Sequence, residues 1–396
     1  MAKQTVRDIN WAGKRALVRV DLNVPFERGS NRISDDIRIR EAIPTINHLR
    51  NSGASVVLCT HLGRPGGKPT SNLELGPIAD RLATLLSTRV DYVHDAPGEQ
   101  ALLRARALQP GEVLLIENIR FWDGEEANDT AFAQSIAKLG DIYVNDAFGT
   151  AHRAHSSTEG VAHVLPGVAG LLMEREIYFL EGVLSNPRRP LAALLGGAKV
   201  SDKIKVLERL IDHADALFVG GGMAATFLKA KGLGIGNSLL EADLVDFCAE
   251  VLLRCEAADI TLNLPSDVVI AQKLEAGTPT RTVRADAVPE GWMILDIGPR
   301  SANMFSTQLG AMGTVVWNGP MGVFEVPPFD TGTKIVAEGL AAGVAVTVIG
   351  GGSTAEAVDA LGLAEQMTHV STGGGASLEF LEGKTLPGIA ALQDKP

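Results

Sequence analysis

The chain has 396 residues, of which 45% are hydrophobic and 21% are charged, and its formal net charge is −11. This composition is ordinary for a globular protein, and the length is sufficient for two or three domains with cores of their own. The negative charge argues against nucleic acid or an anionic membrane as the main partner. It does not exclude small anionic ligands, because a local cluster of arginines can outweigh a distant negative surface.

The sequence contains no signal that directs a protein to a membrane. Residues 1–15 lack the apolar segment of a signal peptide, and no apolar run approaches the roughly 18 residues that a membrane span requires. The three cysteines, Cys59, Cys248 and Cys255, form no CxxC pair. We therefore expect reduced core thiols in a cytoplasmic protein.

Short runs rich in Val, Ile and Leu alternate with helical periodicity along the whole chain. Continuous apolar strands that alternate with helices predict parallel sheets covered on both faces, which is an α/β fold. The predicted strands, in chain order, are Ala54–Cys59, Val113–Ile116, Ile142–Val144, Leu191–Leu195, Leu217–Val219, Met293–Leu295, Thr314–Val316 and Ala345–Ile349.

In the first half of the chain, the loops that follow the strands carry Arg, His and Asn. Ligands of such sheets bind at the carboxyl ends of the strands, so these loops are candidate sites. Arginine binds phosphate or carboxylate through paired hydrogen bonds and keeps its charge. A surface salt bridge would explain any one arginine alone, but five at strand or helix ends predict an anion site: Arg19, Arg38, Arg64, Arg120 and Arg153.

Three histidines accompany these arginines. His152 and His155 are three residues apart and His61 follows a predicted strand, so a zinc site is conceivable. No carboxylate or cysteine partner is evident in the pattern. An anion-binding or structural role is therefore favoured over a metal.

In the second half, the corresponding loops are rich in glycine. Glycine lets the backbone approach a phosphate, and a following helix offers free N–H groups. Lys199 and Lys203 are four residues apart, which predicts one shared helix face that either binds an anion or is simply solvated. Ser353 and Glu356 are spaced as a capping box. The glycine loops are Gly196–Lys203, Gly220–Gly222, Gly319–Glu325, Gly350–Thr354 and Gly373–Gly375.

The contrast between the two halves predicts two domains with two ligands. The boundary is expected near residues 171–187, and the Asn186-Pro187 pair ends the helix predicted there. The apolar residues of that helix recur at helical spacing, at Met173, Ile177, Leu180 and Leu184.

Several long and unusual stretches resemble the phosphoglycerate kinase family over essentially the whole chain. They are RVDLNVP, THLGRP, ENIRF, NDAFGTAHRAHSS, LGGAKVSDKI, GGGMA, WNGPMGVFE, VIGGGST and HVSTGGGASLEFLEGKTLPG. The resemblance implies two doubly wound, Rossmann-like parallel-sheet domains with a cleft between them, joined by a hinge helix. The implied limits are 1–170 for the N-terminal domain, 171–187 for the helix and linker, 188–378 for the C-terminal domain, and 379–396 for a segment that returns to the first domain.

The resemblance also implies an activity. It is the reversible transfer of a phosphoryl group between ATP or ADP and the carboxylate of 3-phosphoglycerate, with Mg²⁺ on the nucleotide, in glycolysis or gluconeogenesis. Closure of the hinge would bring the two ligands together. We expect a cytoplasmic monomer whose partners are these small molecules, and neither nucleic acid nor a membrane.

Motif by motif, the resemblance implies the residues of both sites. The phosphoglycerate site would comprise Asp21, Asn23, Arg38, His61, Arg64, Arg120 and Arg153, with Arg19, His152 and His155 completing a basic patch. In the nucleotide site, Gly221 and Gly222 would lie by the adenine and Glu325 by the ribose. Lys203, Asn318, Gly351, Gly352, Ser353 and Thr354 would contact phosphates. Lys199 and Arg38 would face the transferred group, helped by backbone amides near Gly352 and Gly375.

Ser353 departs from the family pattern, which usually has a Mg²⁺-binding aspartate at this position. A serine hydroxyl carries no charge, whereas Mg²⁺ prefers carboxylate and phosphate oxygens. We therefore expect the metal near Ser353 to be held mainly by phosphates and water, or by another carboxylate such as Glu356.

Two other functions are compatible with parts of the pattern. A doubly wound fold also occurs in NAD-dependent dehydrogenases, but no GxGxxG follows a predicted strand, and two lysines stand in its place. A non-catalytic nucleotide-binding relative is favoured only by Ser353 and is opposed by the retention of Arg38, Lys199 and the glycine loops.

Overall fold

The computed structural model describes residues 2–396, and the chain forms two compact units. The first unit runs to Tyr178 and takes in Thr385–Pro396, and the second comprises Phe179–Lys384. Each unit contains a six-stranded sheet in which all strand pairs are parallel. The predicted α/β fold with two doubly wound parallel sheets is confirmed.

The sheet of the first unit has six strands. They are β1 (Arg15–Val20), β2 (Ser55–Cys59), β3 (Val90–Val93), β4 (Val113–Ile116), β5 (Ile142–Asp146) and β6 (Gly167–Ala169). Their spatial order is β3-β4-β2-β1-β5-β6, so β1 lies between β2 and β5 in the interior of the sheet. The strand ends at Arg19, Cys59 and Asn145 are therefore adjacent.

The longer helices cover this sheet because each buries apolar residues, whereas the four-residue α4 buries only Glu125. In the first of them, Ile39, Ala42, Ile46 and Leu49 recur at helical spacing and pack into the core with residues of the central strands. The helices of the first unit are α1 (Ile37–Asn51), α2 (Gly76–Leu86), α3 (Glu99–Ala107), α4 (Asp123–Glu126) and α5 (Thr130–Ala137).

One helix, α6 (Leu171–Ser185), contains the boundary between the two units, which falls between Tyr178 and Phe179. It begins where Asp146, at the end of β5, accepts hydrogen bonds from the backbone N–H groups of Leu172 (2.9 Å) and Met173 (3.3 Å). The start of the helix is thereby tied to the loop region that carries the predicted anion site.

The sheet of the second unit has six strands. They are β7 (Leu191–Leu195), β8 (Ala216–Val219), β9 (Thr261–Asn263), β13 (Thr314–Asn318), β14 (Val346–Gly350) and β15 (His369–Val370), in the spatial order β15-β14-β13-β7-β8-β9. Three further strands lie between β9 and β13 in the chain: β10 (Asp267–Ala271), β11 (Thr280–Arg284) and β12 (Met293–Ile297).

The prediction of Met293–Leu295 as a strand of the parallel sheet is wrong in its pairing. β10, β11 and β12 form a separate antiparallel sheet with the order β11-β10-β12. Residues 272–279, which connect β10 to β11, are too few for the crossover of a dozen or more residues that a parallel pair needs, and β12 pairs antiparallel with the other edge of β10. An apolar run alone does not distinguish the two kinds of pairing.

The helices of the second unit also bury apolar residues. They are α7 (Ile204–Ile211), α8 (Met223–Ala230), α9 (Val245–Ala257), α10 (Pro299–Gly310), α11 (Thr331–Ala341), α12 (Gly352–Ala360) and α13 (Gly375–Leu381). The last helix of the chain, α14 (Pro387–Ala390), belongs to the first unit. The return to the first unit begins at Thr385, six residues after the expected 379.

All three cysteines are buried as free thiols, as predicted. Among residues 2–396, no helix combines the length and apolarity needed to cross a membrane.

Candidate functional site

Arg19 lies at the end of β1 and is almost fully buried, with 1% of its surface exposed. Its Nε donates to the Oγ of Ser157 (2.9 Å), its Nη1 to the backbone oxygen of Val20 (2.5 Å), and its Nη2 to the Nδ1 of His61 (3.1 Å). Each of the three guanidinium nitrogens therefore donates to a protein group. Arg19 organises the site and has little capacity left to bind a ligand itself.

Asp21 and Asn23 hold the loop after β1 against its neighbours. The Nη1 of Arg38 donates to the Oδ2 of Asp21 at 2.6 Å, and Oδ1 of Asp21 accepts from the backbone N–H of Asn23 (3.2 Å). The Oδ1 of Asn23 accepts from the N–H of Gly63 at 2.9 Å. Arg38 is thus fixed at one nitrogen, and the loops after β1 and β2 are joined.

Arg120 enters the same region from a short 3-10 helix after β4. Its Nη1 donates to the carbonyl of Gly63 (2.8 Å), and its Nε lies 3.2 Å from Glu126. Its buried Nη2 has no hydrogen-bond partner within residues 2–396. Burial lowers the pKa of Arg120, and the charges of Arg19 and Arg153 lower it further. An anion would relieve both effects.

Arg153 and His155 lie in the loop after β5. The Nε of Arg153 donates to Nε2 of His152 at 3.2 Å. Burial lowers the pKa of His155 to about 4, and the charges of Arg120, Arg19 and Arg153 act in the same direction. His155 is therefore neutral near pH 7.

The charges of four arginines converge on His61, which is 4% exposed. Burial holds the pKa of His61 well below its usual range, and the charges of Arg19, Arg120, Arg153 and Arg38 lower it further. The structure thus brings together most of the predicted residues of the basic patch. Arg64 stands apart, because it is exposed and forms no side-chain hydrogen bond or ion pair within residues 2–396.

The prediction from sequence missed Glu125, which is fully buried in α4. Its Oε1 accepts from the Oγ of Ser157 (2.6 Å), and its Oε2 accepts from the N–H of Ser157 (2.9 Å). Oε1 also lies 3.9 Å from Nδ1 of His155. A buried arginine requires a nearby negative charge, but no sequence signal distinguishes Glu125 from its exposed neighbour Glu126.

In the second unit, the glycines at the ends of β7, β8 and β13 pack backbone against backbone. A Cβ at Gly319 would lie 2.2 Å from the carbonyl oxygen of Gly196, and a Cβ at Gly222 would lie 2.7 Å from that of Ala198. Gly221, with φ +62°, donates to the carbonyl of Met321 at 2.8 Å. The packing of the loops by itself requires glycine here, in addition to any contact with a ligand.

The glycines after β14 and β15 differ from these. Cβ atoms built on Gly352, Gly374 and Gly375 would have no neighbour within 4 Å. The backbone at these positions borders open space, where a phosphate could approach the N–H groups at the start of α12. This is the arrangement by which glycine-rich loops bind phosphate.

Lys203 and Asn318 form a buried pair between these two groups of glycines. The Nζ of Lys203 donates to Oδ1 of Asn318 at 2.7 Å, and burial lowers the pKa of Lys203. The Nδ2 of Asn318 is buried and has no hydrogen-bond partner within residues 2–396. Nearby, the Oγ1 of Thr354 accepts from the N–H of Gly319 at 2.7 Å.

The prediction that Lys199 and Lys203 share one helix face is wrong. Lys203 ends a 3-10 turn, Ser201–Lys203, and Lys199 precedes that turn and is exposed. The carboxylate of Glu241 accepts from the N–H groups of Val200 (2.5 Å) and Ser201 (3.1 Å), so these groups are bonded outside a helix. The side chain of Lys199 is therefore exposed, next to a turn that Glu241 holds in place.

The predicted capping box of Ser353 and Glu356 is also wrong. α12 begins at Gly352, with Gly351 at the cap position in a conformation with φ +85°, and no side chain caps the helix. Because glycine allows this conformation, the helix starts before Ser353. Ser353 is exposed at the second position of the helix, and Glu325 is exposed between β13 and α11.

Within residues 2–396, the His, Cys, Asp and Glu side chains form no group of three or more that could hold a metal ion. The Ser353 hydroxyl and the exposed Glu356 carboxylate are three residues apart on α12, which places them on one face of the helix. One hydroxyl and one carboxylate are compatible with a Mg²⁺ ion that obtains its other oxygens from phosphates and water.

Comparison with known proteins decides the family. A sequence model described as phosphoglycerate kinase matches residues 6–384. The chain belongs to the phosphoglycerate kinase family. It is accordingly a phosphotransferase of glycolysis that uses ATP and ADP as co-substrates, and the non-catalytic alternative is not favoured.

Relatives and solved structures agree with this assignment over the full length of the chain. The chain is 54% identical over 395 residues to the phosphoglycerate kinase of Herpetosiphon aurantiacus, with 100% of both chains covered, and equally similar to that of Pelotomaculum thermopropionicum. The structure of phosphoglycerate kinase from Coxiella burnetii matches with a TM-score of 0.90 at 41% identity, covering 98% of each chain. The enzyme from Pyrococcus horikoshii matches with a TM-score of 0.84 at 33% identity, covering 99% of this chain and 98% of that one.

Proposed function

We propose that this chain transfers a phosphoryl group between ATP and the carboxylate of 3-phosphoglycerate by using the arginine cluster of the first unit and the open glycine loops of the second. The observation that carries the proposal is the convergence of four arginine charges on the buried His61. Such a concentration of positive charge, with unused donors, is suited to a ligand that bears both phosphate and carboxylate.

In the first unit, we assign phosphoglycerate binding to Asp21, Asn23, Arg38, His61, Arg64, Arg120 and Arg153. The free Nη2 of Arg120 supports this assignment, because a buried donor without a partner is costly unless a ligand accepts from it. Arg64 is exposed and contributes a charge that can move onto the ligand. Arg19, His152 and His155 support the patch.

In the second unit, we assign the nucleotide to the loops after β8, β13 and β14. Gly221 and Gly222 would lie by the adenine and Glu325 by the ribose. The phosphates would be bound by Lys203, Asn318, Gly351, Gly352, Ser353 and Thr354. The unpartnered Nδ2 of Asn318 supports the assignment for the same reason as Arg120.

The acceptor oxygen requires no general base, because a carboxylate is already ionised near pH 7. Phosphoryl transfer then depends on positioning and on stabilisation of charge around the transferred group. We assign that stabilisation to Arg38 and Lys199, together with the backbone N–H groups at Gly352 and Gly375. Lys199 is suited to it because its side chain is exposed and forms no hydrogen bond or ion pair within residues 2–396, and because Glu241 holds the turn that follows it.

Mg²⁺ would lie on the nucleotide phosphates beside Ser353, with Glu356 as the nearest carboxylate on α12. When bound, the ion compensates phosphate charge. The chain's own contribution is to orient the phosphates through Lys203 and the N–H groups of the Gly351–Thr354 loop. The neutral Ser353 hydroxyl leaves most of the metal's coordination to phosphate and water.

The two ligands are assigned to different units, and transfer requires the reacting atoms to meet. We therefore propose that one unit rotates relative to the other, with bending or reorientation at α6, before the chemical step. Small-angle scattering checks this step, because both ligands together should compact the protein more than either one alone. We expect the enzyme to act as a monomer in the cytoplasm.

Phosphoryl transfer from ATP to 3-phosphoglycerate, measured at several Mg²⁺ concentrations through a coupled dehydrogenase, tests the proposal. Transfer that requires both substrates supports it. No transfer at any Mg²⁺ concentration, from folded protein that binds ATP, would contradict it.

A further inference from the structure

Four side chains of the first unit form a continuous buried series of hydrogen bonds. It runs from Glu125 in α4 through Ser157 and Arg19 to His61, over distances of 2.6, 2.9 and 3.1 Å. Glu125 and Ser157 are completely buried, and Arg19 and His61 are exposed by only 1% and 4%. The series joins an acidic residue with no assigned role to a residue assigned to the substrate.

The direction of every bond in this series is determined by the groups themselves. Arginine has no acceptor, so Arg19 donates at both of its contacts. The Ser157 oxygen accepts from Arg19, and its own proton points to Oε1 of Glu125 because an ionised carboxylate can only accept. Burial raises the pKa of Glu125, but the charge of Arg19 and both hydrogen bonds from Ser157 lower it and favour the ionised form. The second oxygen of Glu125 accepts from the N–H of Ser157 at 2.9 Å, so both carboxylate oxygens are acceptors.

The same logic fixes the proton on His61. Its Nδ1 accepts a hydrogen bond from Nη2 of Arg19 and therefore cannot carry a proton of its own. A cationic imidazole has a proton on both nitrogens and is excluded in this arrangement. The remaining form is the neutral ring with its proton on Nε2.

The surrounding charges favour the same form. The positive groups that act on His61 come from four different segments: Arg19 in β1, Arg38 in α1, Arg120 after β4 and Arg153 after β5. Burial and these four charges all hold the pKa of His61 well below its usual range. The carboxylate of Glu125 is connected to the ring through Ser157 and Arg19.

We propose that Glu125 is a positioning residue that acts through Ser157 and Arg19 to hold His61 as the neutral Nε2–H tautomer, which donates a hydrogen bond to the anionic substrate. The inference rests on the proposed function, since that assigns His61 to 3-phosphoglycerate. A neutral donor of fixed direction adds selectivity to a site whose charge the arginines already supply. The hydrogen bonds to Ser157 and His61 also orient Arg19 when no ligand is bound.

Nitrogen-15 NMR of the full chain, labelled at the histidine rings and without ligand, reads the tautomer directly. The signal of His61 is assigned by comparison with His61→Gln. We expect Nδ1 unprotonated and Nε2 protonated at neutral pH, with no uptake of a proton as the pH is lowered through the range in which an ordinary imidazole titrates. A proton on Nδ1, or on both nitrogens, would overturn the proposal, whether or not the enzyme transfers phosphate.

Variants test the connection from Glu125 to His61. Ser157→Ala and Glu125→Gln should shift the His61 signals towards a mixture of tautomers and raise KM for 3-phosphoglycerate about tenfold with little change in kcat. Ser157→Thr keeps the hydroxyl and should restore both values. Unchanged signals and KM in folded Ser157→Ala would overturn the proposal.

Ser156→Ala is the matched control. Ser156 is equally buried and its Oγ donates to the carbonyls of Gly124 (2.8 Å) and Asp129 (3.1 Å), but it makes no contact with Arg19. It should lower stability without moving the His61 signals. If Ser157→Ala does not fold, the tautomer of the parent chain and the spectrum of Ser157→Thr still decide the question.

Discussion

The ammonium of Lys203 donates a 2.7 Å hydrogen bond to the side-chain oxygen of Asn318, and both side chains are buried. The partner of the buried cation is thus a neutral amide. Within residues 2–396, no carboxylate forms an ion pair with Lys203, and the Nδ2 of Asn318 has no hydrogen-bond partner. Both donors are thus available for the phosphate role proposed for this pair, beside the ends of the neighbouring strands β7 and β13.

Replacing Asn318 with Asp tests the importance of this neutral partner. The new carboxylate would pair with Lys203 and repel phosphate, so the affinity for ADP should fall about tenfold or more. Calorimetric titration measures the change, and adenosine, which has no phosphate, serves as the control ligand and should bind as before. Equal affinity of the parent and Asn318→Asp for ADP would contradict the assignment of this pair to the phosphates.

Lys199→Ala should lower kcat by about 10²–10³, the scale for the loss of one preorganised donor to a developing charge. Affinity for either substrate should change little, because the exposed side chain makes no contact that organises the site. Lys205→Ala removes an exposed cation six residues away in α7 and is the matched control. A decrease in kcat of less than about threefold for Lys199→Ala would exclude the proposed role.

Arg64→Ala should raise KM for 3-phosphoglycerate by about tenfold and leave kcat nearly unchanged, because one charge-assisted contact to the bound substrate is lost. Lys68→Ala removes an exposed cation from the same loop and controls for the general loss of positive charge. Steady-state kinetics with varied 3-phosphoglycerate separates the two. Equal effects of both variants would indicate long-range attraction instead of direct binding.

The fold was largely predictable because continuous apolar strands are a local signal that needs no tertiary information. The antiparallel pairing of Met293–Ile297 was not, since the same apolar run serves either sheet and the decision depends on its tertiary contact with β10. The start of α12 was missed for a related reason. A glycine at φ +85° can begin a helix without any capping side chain, which leaves Ser353 with no cap to form.

Residues of the site were predictable where their chemistry is unusual, as for arginines at strand ends. The partners that hold them were not. Glu125 and Glu241 are marked by no motif in the sequence, and only the fold shows that one is connected to Arg19 through Ser157 and that the other fixes the turn after Lys199. Supporting residues of this kind are chosen by geometry, which composition and spacing do not encode.

Ser353→Asp should lower the Mg²⁺ concentration needed for half-maximal activity by about tenfold, because a carboxylate replaces a neutral hydroxyl at the proposed metal position. Asp359→Asn alters an exposed carboxylate further along α12 and should leave the Mg²⁺ curve in place. The measurement is activity against free Mg²⁺ at constant ATP. Coincident curves for the parent, Ser353→Asp and Ser353→Ala would show that this position does not contact the metal.

Asp296 is a buried carboxyl group at the end of β12. Its Oδ1 accepts from the N–H of Ile297 (2.8 Å) and its Oδ2 accepts from the N–H of Gly332 (2.7 Å) at the start of α11. Burial raises the pKa of Asp296 to about 8, and the negative charge of Asp330 adds to the effect, although both hydrogen bonds oppose it. The group is therefore largely protonated near pH 7 in the folded chain.

The raised pKa predicts how stability depends on pH. An ordinary aspartate, with a pKa of 3.8, has lost its proton in the unfolded chain while folded Asp296 still holds one, so this contribution is lost progressively as pH rises towards 8. His155, with a pKa of about 4, has the opposite sign, and so does His61, whose burial holds its pKa well below 6.5, so both contributions are lost as pH falls through 6.5. Asp146, with a pKa raised to about 6, has the same sign as Asp296, and its contribution is lost as pH rises from 3.8 to about 6. The interval from about pH 6.5 to 8 therefore reports mainly on Asp296.

Urea unfolding across that interval should show the free energy of unfolding of the parent chain falling by about 1–2 kcal/mol, the most that one proton can contribute over this range. Asp296→Asn cannot titrate, so its curve should be flatter. Asp330→Asn leaves the carboxyl group of Asp296 in place but removes the negative charge that adds to its raised pKa. The fall in the free energy of unfolding should then end at a lower pH. If the parent and Asp296→Asn change in parallel from about pH 6.5 to 8, Asp296 is ionised in the folded chain, and another group is responsible for the slope.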